Sequence, residues 1–251
     1  MSRPTERFSA LADHYRRSRP GYPSAAIDLL AAQCGLDGAI VADVGSGTGI
    51  LTAQLLERAA QVFAVEPNDA MRAAAEEQLR GQTGFRSVAA AAEATTLPSA
   101  TVGLWVAGQA FHWFDAPRAR LEALRILRPG GYAALLWNER PPEPGAFLRE
   151  YEALLHRHAA DYAAIVARRL DEGSMQAFLG GAMQVARFPN EQRLDYARLE
   201  GRLLSTSYAP ASGHPERAPM LAGLRALFDR HQRDGAIVFP YETRMYYARL
   251  S

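Results

Sequence analysis

Lysine is absent: all 28 basic residues are arginines, set against 27 acids for a formal net charge of +1. No Schiff-base lysine and no phosphate-loop lysine can therefore operate in this chain. Balanced charge without a basic block argues against nucleic acid as a partner. Cysteine is nearly as scarce. Cys34 stands alone, which excludes an internal disulfide and a cysteine-rich metal site. His156 and His158 lie two apart on a predicted helix, point to different faces and form no chelating pair, so no metal is expected. No apolar run approaches the ~20 residues of a membrane span, and "MSRPTERFSALADHYRRSRP" lacks the apolar centre of a signal peptide. A cytoplasmic protein with no membrane partner is the expectation.

What is present is alternation. The chain has 251 residues, 48% of them hydrophobic, enough for one large α/β domain with an insertion. Short apolar runs at 39–44, 62–67, 85–91, 101–108 and 132–137 read as strands. Helices are expected over 48–60, from a cap at Asn68 or Asp69 to Gly81, and from a cap at Asp115 to the "PGG" stop at 129–131. This order implies a Rossmann-like doubly wound sheet, mostly parallel, with helices on both faces. Ligands bind such sheets at the carboxyl ends of the strands, near the switch point.

Regularity breaks at the proline-rich "NERPPEPG", 138–145. Beyond it, Phe147, Tyr151, Leu154, Leu155, His158, Tyr162, Ile165, Val166 and Leu170 form one helical stripe, read as one long helix or two inserted over the ligand edge. Late strands are expected at 183–189 and 236–250, one of them antiparallel, with a helix near 219–233. The chain is thus read as a single domain, 1–251. Residues 1–38 form an N-terminal lid, 39–138 the core, 139–181 a helical cap, and 182–251 complete the sheet.

"VADVGSGTG" (41–49) places Gly45, Gly47 and Gly49 between a strand and a helix, a turn that aims backbone N–H groups at an anion. A phosphate loop would need a terminal lysine, and a dinucleotide site a third glycine where Ile50 stands. The class left is a nucleoside with a small anionic end.

These residues resemble the first motif of class I S-adenosylmethionine (SAM)-dependent methyltransferases, with Asp43 in its acidic position. "VFAVEPNDAMRAAA" resembles the second motif, "AAAEATTLPSATVGLWVAGQAFHWFD" the adenine segment and following strand, and "ALRILRPGGYAALLW" the closing helix–strand unit. "ADHYRRSRPGYP" and "GQAFHWFD" look like the trans-aconitate methyltransferase-like subgroup.

The resemblance implies SAM as cofactor, S-adenosylhomocysteine as product and direct in-line displacement onto a small-molecule acceptor. Gly45, Ser46, Gly47, Thr48 and Gly49 would surround the methionine end, with the N–H groups near Gly47 and Gly49 on its carboxylate. Glu66, followed by Pro67, would hold both ribose hydroxyls. Met71 would cover an adenine face, or be plain core. Ala91 stands where many relatives carry an acid or threonine, leaving adenine to Ala92 and Glu93. Asp43, Tyr15 and the backbone at 108–110, with Gln109, would face the cation. His112 is either a general base with a pKa near working pH or pocket wall, and Asp115 a helix cap. An arginine-bearing pocket would favour a carboxylate acceptor, as the subgroup implies; an aromatic one would favour a phenol or amine. The alternatives are a SAM-binding protein without transfer, and a nicotinamide-dependent oxidoreductase, which Ile50 opposes.

Overall fold

The apolar runs form the parallel part of a seven-stranded sheet, seen in a computed structural model that describes residues 19–160, 162–163, 172–206 and 208–250. The strands are β1 (Ile40–Val44), β2 (Gln61–Val65), β3 (Phe85–Val88), β4 (Val102–Gly108), β5 (Leu127–Glu139), β6 (Gln184–Leu194) and β7 (Ile237–Arg249). Their order is β3-β2-β1-β4-β5-β7-β6. The first five run parallel, and β7 is antiparallel to both β5 and β6. The order reverses between β1 and β4, which creates the crevice where such sheets bind ligands.

Strand alternation sorts the core into two layers. Trp105 and Ala107 of β4 face helices α4 (Ala116–Ile126) and α6 (Glu172–Leu179), through Ile126 and Phe178. Leu104 and Val106 face α1 (Ser24–Cys34) and α2 (Ile50–Leu56), through Leu30 and Leu55. Cys34 is buried in this second layer, where desolvation raises its thiol pKa to about 12. Helix α3 (Asp69–Gln78) starts at Asn68, whose side chain accepts the Met71 N–H.

Several boundaries differ from expectation. Helix α2 begins at Ile50, after Gly49 in the left-handed conformation (φ 82°), and ends at Leu56 instead of residue 60. Helix α4 stops at Ile126, short of the glycines. Pro129 disfavours helical backbone at Arg128, and Leu127, already extended (φ −70°, ψ 141°), pairs with Val102. Strand β3 ends at Val88, and the alanines after it make only an isolated bridge, Ala91 to Ala94.

The cap draws on more than 139–181. α5 (Ala146–His158), α7 (Tyr196–Leu204), α8 (Arg217–His231) and the first half of β7 share a third core. Tyr151, Leu199, Leu224 and Phe239 lie at its centre. Helix α7 has no counterpart in the sequence reading. Ile165, Val166 and Leu170 of the predicted stripe, and Tyr15 of the predicted site, lie outside the described residues. Among the described residues, no helix is long and apolar enough to cross a membrane.

Candidate functional site

Two adjoining cavities open at the carboxyl edge of the sheet and share Gly45, Gly47, Gly108, Gln109 and Trp113. The first, about 390 Å³ and mainly apolar, runs past Glu66, Pro67, Met71, Ala92, Glu93 and Phe114. The second, about 250 Å³, is polar and reaches from Asp43 up to the cap.

Glycine is required at Gly45. Its φ is +70°, and a Cβ there would meet the Ala110 Cβ at 2.5 Å. Gly47 (φ +57°) differs, since a Cβ would meet nothing within 4 Å, in keeping with its place on both cavities. The N–H groups of Gly47 and Gly49 both have acceptors within the protein. The Gly47 N–H donates to Glu66 Oε2 at 3.0 Å, and the Gly49 N–H to the Ser46 carbonyl at 3.0 Å. Gly49 lines neither cavity, because it faces α3, where a Cβ would press on Leu79 and Ala75.

Glu66 follows the end of β2 and sits across from the glycine turn. Each carboxylate oxygen takes one backbone N–H, Oε1 from Asn68 at 2.8 Å and Oε2 from Gly47. Burial raises its pKa, while the two N–H groups and Arg72 pull it down. Each oxygen keeps further acceptor capacity toward the cavity. Glu93 commits Oε1 to the Asp115 N–H at 2.7 Å. Asp115 itself caps α4 by accepting the Arg118 N–H, as expected.

Asp43, the penultimate residue of β1, is 1% exposed. Thr52 Oγ1 donates to its Oδ2 at 2.6 Å, whereas Oδ1 is buried without a partner. Desolvation, opposed by the Thr52 bond and reinforced by Glu66, raises its pKa to about 7. Ser46 Oγ and Thr48 Oγ1 are also buried without partners and line the same chamber. Three unsatisfied polar groups at one turn mark a polar ligand.

His112 lies in a short 3₁₀ turn, Phe111–Trp113, on the chamber wall. The residue is exposed, and desolvation by the protein around it lowers its pKa, to about 4. Desolvation acts alone and no carboxylate offsets it, so the shift runs away from a base poised near neutrality.

The far wall consists of residues the sequence reading missed. Asn138, at the end of β5, donates to the Gly21 carbonyl at 3.1 Å, and Asn190 donates to Asn138 Oδ1. Gln54 and Tyr22 exchange two hydrogen bonds. Together these fix residues 20–22 beside the chamber. Arg140, Arg202 and Tyr241 descend from the cap. Asn138 could have been found as the first polar residue after a strand; the cap residues carried no local signal. No group of three or more metal-binding side chains occurs among the described residues.

The architecture defines the class first: a Rossmann-like α/β sheet with its ligand cleft at the switch point. Residues 42–135 match the family described as methyltransferase domain, and this part of the chain is such a domain. An uncharacterized methyltransferase of Mycobacterium tuberculosis is 36% identical over 154 residues. That match covers 60% of this chain and 59% of the relative, so the chain spans about three-fifths of that protein's length. A methyltransferase-like protein of Schizosaccharomyces pombe is 27% identical over 202 residues, 77% of this chain and 75% of its own. Among solved structures, an Anaeromyxobacter dehalogenans protein provisionally described as a type II methyltransferase superposes with a TM-score of 0.65 at 25% identity. It covers 92% of this chain and 98% of its own. An Anabaena variabilis protein, provisionally described as a methyltransferase of an antibiotic biosynthesis pathway, shares the fold. Its TM-score is 0.63 at 20% identity, with coverage of 91% and 98%.

Proposed function

We propose that this protein transfers a methyl group from SAM to a small-molecule acceptor held in the polar chamber. One observation carries the reading: a nucleoside-sized apolar cavity bordered by Glu66 adjoins a chamber whose buried Asp43 Oδ1 lacks a partner. The residues fit the cofactor. Glu66 has acceptor capacity for two ribose hydroxyls, Met71 and Ala92 supply apolar surface for a base, and Asp43 suits a cation. Ser46 Oγ and Thr48 Oγ1, in place of the glycine N–H groups, suit the amino-acid end. Bound there, SAM would supply a sulfonium-activated methyl group, open to direct in-line attack by the acceptor.

The chain's own residues contribute position and dryness. Trp113 and Gln109 stand at the junction of the cavities, and the cap with residues 19–22 closes the chamber from above. Holding two reactants in line there replaces much of the need for acid–base help. His112 forms part of the chamber wall. A chamber of about 250 Å³ suits a small acceptor. Its arginines favour one bearing a carboxylate over a plain phenol or amine.

Calorimetry with SAM and NAD, followed by S-adenosylhomocysteine formation across a metabolite panel, tests the reading. SAM should bind, and Glu66→Ala should weaken it by about tenfold or more, through loss of charge-assisted hydrogen bonds, with the circular dichroism spectrum unchanged. NAD binding without SAM binding would end the proposal. SAM binding with no turnover on any acceptor would reassign the protein to a sensor role.

A further inference from the structure

Arg202 is an anomaly the reaction does not explain. Its residue is 5% exposed, on a cap helix, and its guanidinium forms no ion pair among the described residues. Nε donates to the Tyr241 hydroxyl at 2.5 Å, and the plane lies 3.9 Å from the Phe239 ring centroid. Nη1 is buried and has no acceptor. Tyr151, in the same cap core, likewise has a fully buried hydroxyl without a partner. A buried cation without an anion is among the costliest arrangements a fold can hold.

The neighbouring arginine shows the contrast. Arg140 lines the same chamber but pairs with Glu152 and is hydrogen-bonded to Tyr162. Its charge is answered within the protein. Tyr241, which orients Arg202, is itself held by donating to Gln192 Oε1 at 2.9 Å. The guanidinium is therefore aimed and stacked, as in sites that read a planar anion, yet the anion is not part of the chain.

We infer that Arg202 is the specificity anchor of the acceptor, holding a carboxylate that serves as a handle distinct from the atom methylated. The inference rests on the methyltransferase reading and deepens it. Arg202 belongs to the cap, whereas Asp43 and the glycine turn belong to the sheet, and all of them line the chamber. An acceptor spanning the chamber meets the guanidinium with one end and presents its nucleophile with the other. The acceptor class is a small molecule with one carboxylate and a separate nucleophilic atom.

The test uses the full chain, acetate as the minimal carboxylate and acetamide as its uncharged counterpart, at matched ionic strength. Acetate should raise the melting temperature of the wild type and acetamide should not. Arg202→Met should abolish the acetate response, Arg202→Lys should keep part of it, and the surface control Arg193→Met should keep all of it. With no ligand, Arg202→Met should melt at or above the wild-type temperature, since it removes an uncompensated charge. Among acceptors that turn over, Arg202→Met should lower kcat/KM on the order of 100-fold, mostly through KM. An acetate response unchanged in Arg202→Met, or absent from the wild type, overturns the inference. So does a lower melting temperature in both Arg202→Met and Arg202→Lys, which would make the side chain structural. SAM affinity measured by calorimetry separates the two readings. If it falls with Arg202→Met, the guanidinium serves the cofactor's own carboxylate and the acceptor anchor is wrong while the methyltransferase reading stands. If the wild type binds no SAM at all, the methyltransferase reading fails, whatever Arg202 does.

Discussion

Burial raises the pKa of Asp43 from 3.8 to about 7, with Glu66 adding repulsion and Thr52 the principal opposing contact. The folded protein therefore holds a proton that the unfolded chain has lost over this interval. Stability contributed by the protonated acid is present at low pH and declines as pH rises through the window. A cation placed against Oδ1 reverses the preference, because it favours the charged form. SAM affinity should consequently rise between about pH 6 and pH 8, with proton release near pH 7. Calorimetry in buffers of differing ionisation enthalpy reads that release directly. Asp43→Asn should flatten the profile, weaken SAM and raise the melting temperature at pH 8; an unchanged slope in that variant would remove Asp43 from the cofactor. Asp43, Gly45 and Glu66 were legible because each stands at a fixed step from the end of a parallel strand. Arg202 was not. Arg198 and Arg202 are four apart on one helix, one exposed and one buried, and nothing local distinguishes them.

Helix α4 ties the sheet to the loop that lines the nucleoside cavity. Glu122 accepts the Thr95 N–H at 2.7 Å and the Thr95 hydroxyl, and Arg125 bridges from Glu122 to the Leu97 carbonyl. The Arg125 bonds, together with Thr95, hold the Glu122 pKa down at about 2. Because the folded value is depressed, the stabilisation is complete above the unfolded value of about 4.5 and is lost as pH falls toward 2. Glu122→Gln should melt earlier than wild type at pH 7, and the gap should narrow from about pH 4.5 downward and close only near pH 2. A gap at pH 3 as wide as the one at pH 7 would mean that the network is packing, not charge. SAM should bind this variant more weakly at pH 7, because residues 91–93 lose their brace. At this scale the sequence was partly readable. The caps at Asn68 and Asp115 follow from side-chain chemistry, but the end of α4 was set by a proline three residues on and by pairing with β4. Helix α7 went unseen because its apolar positions meet only residues distant in the chain.

Across the whole molecule, the acceptor chamber joins two cores that have different origins. The nucleoside cavity uses residues up to Phe114, in the order the alternating pattern implied, and the sheet core around it adds β5, α6 and the second half of β7. The cap core is assembled on the extension of β7 beyond β5, where residues 237–241 pair only with β6 and carry Ile237, Phe239 and Tyr241 inward. A late antiparallel strand pair, its strands separated in the chain by α7 and α8, thus serves as sheet edge at one end and cap floor at the other, which a reading confined to 139–181 could not anticipate. Phe239 is the joint: it is fully buried, packs against Tyr151 and Phe147, and lies under Arg202. Phe239→Ala should cost about 3–5 kcal/mol of cap stability, the range for truncating a buried phenylalanine. Hydrogen exchange should quicken in α5 and α8 while β1, β2 and β4 stay protected. The acetate response should disappear with the floor beneath Arg202, while SAM affinity changes by less than about threefold, as expected for well-separated sites. If SAM affinity collapsed together with the cap, the cofactor site would depend on the cap as well, and the division of labour between sheet and cap would not hold.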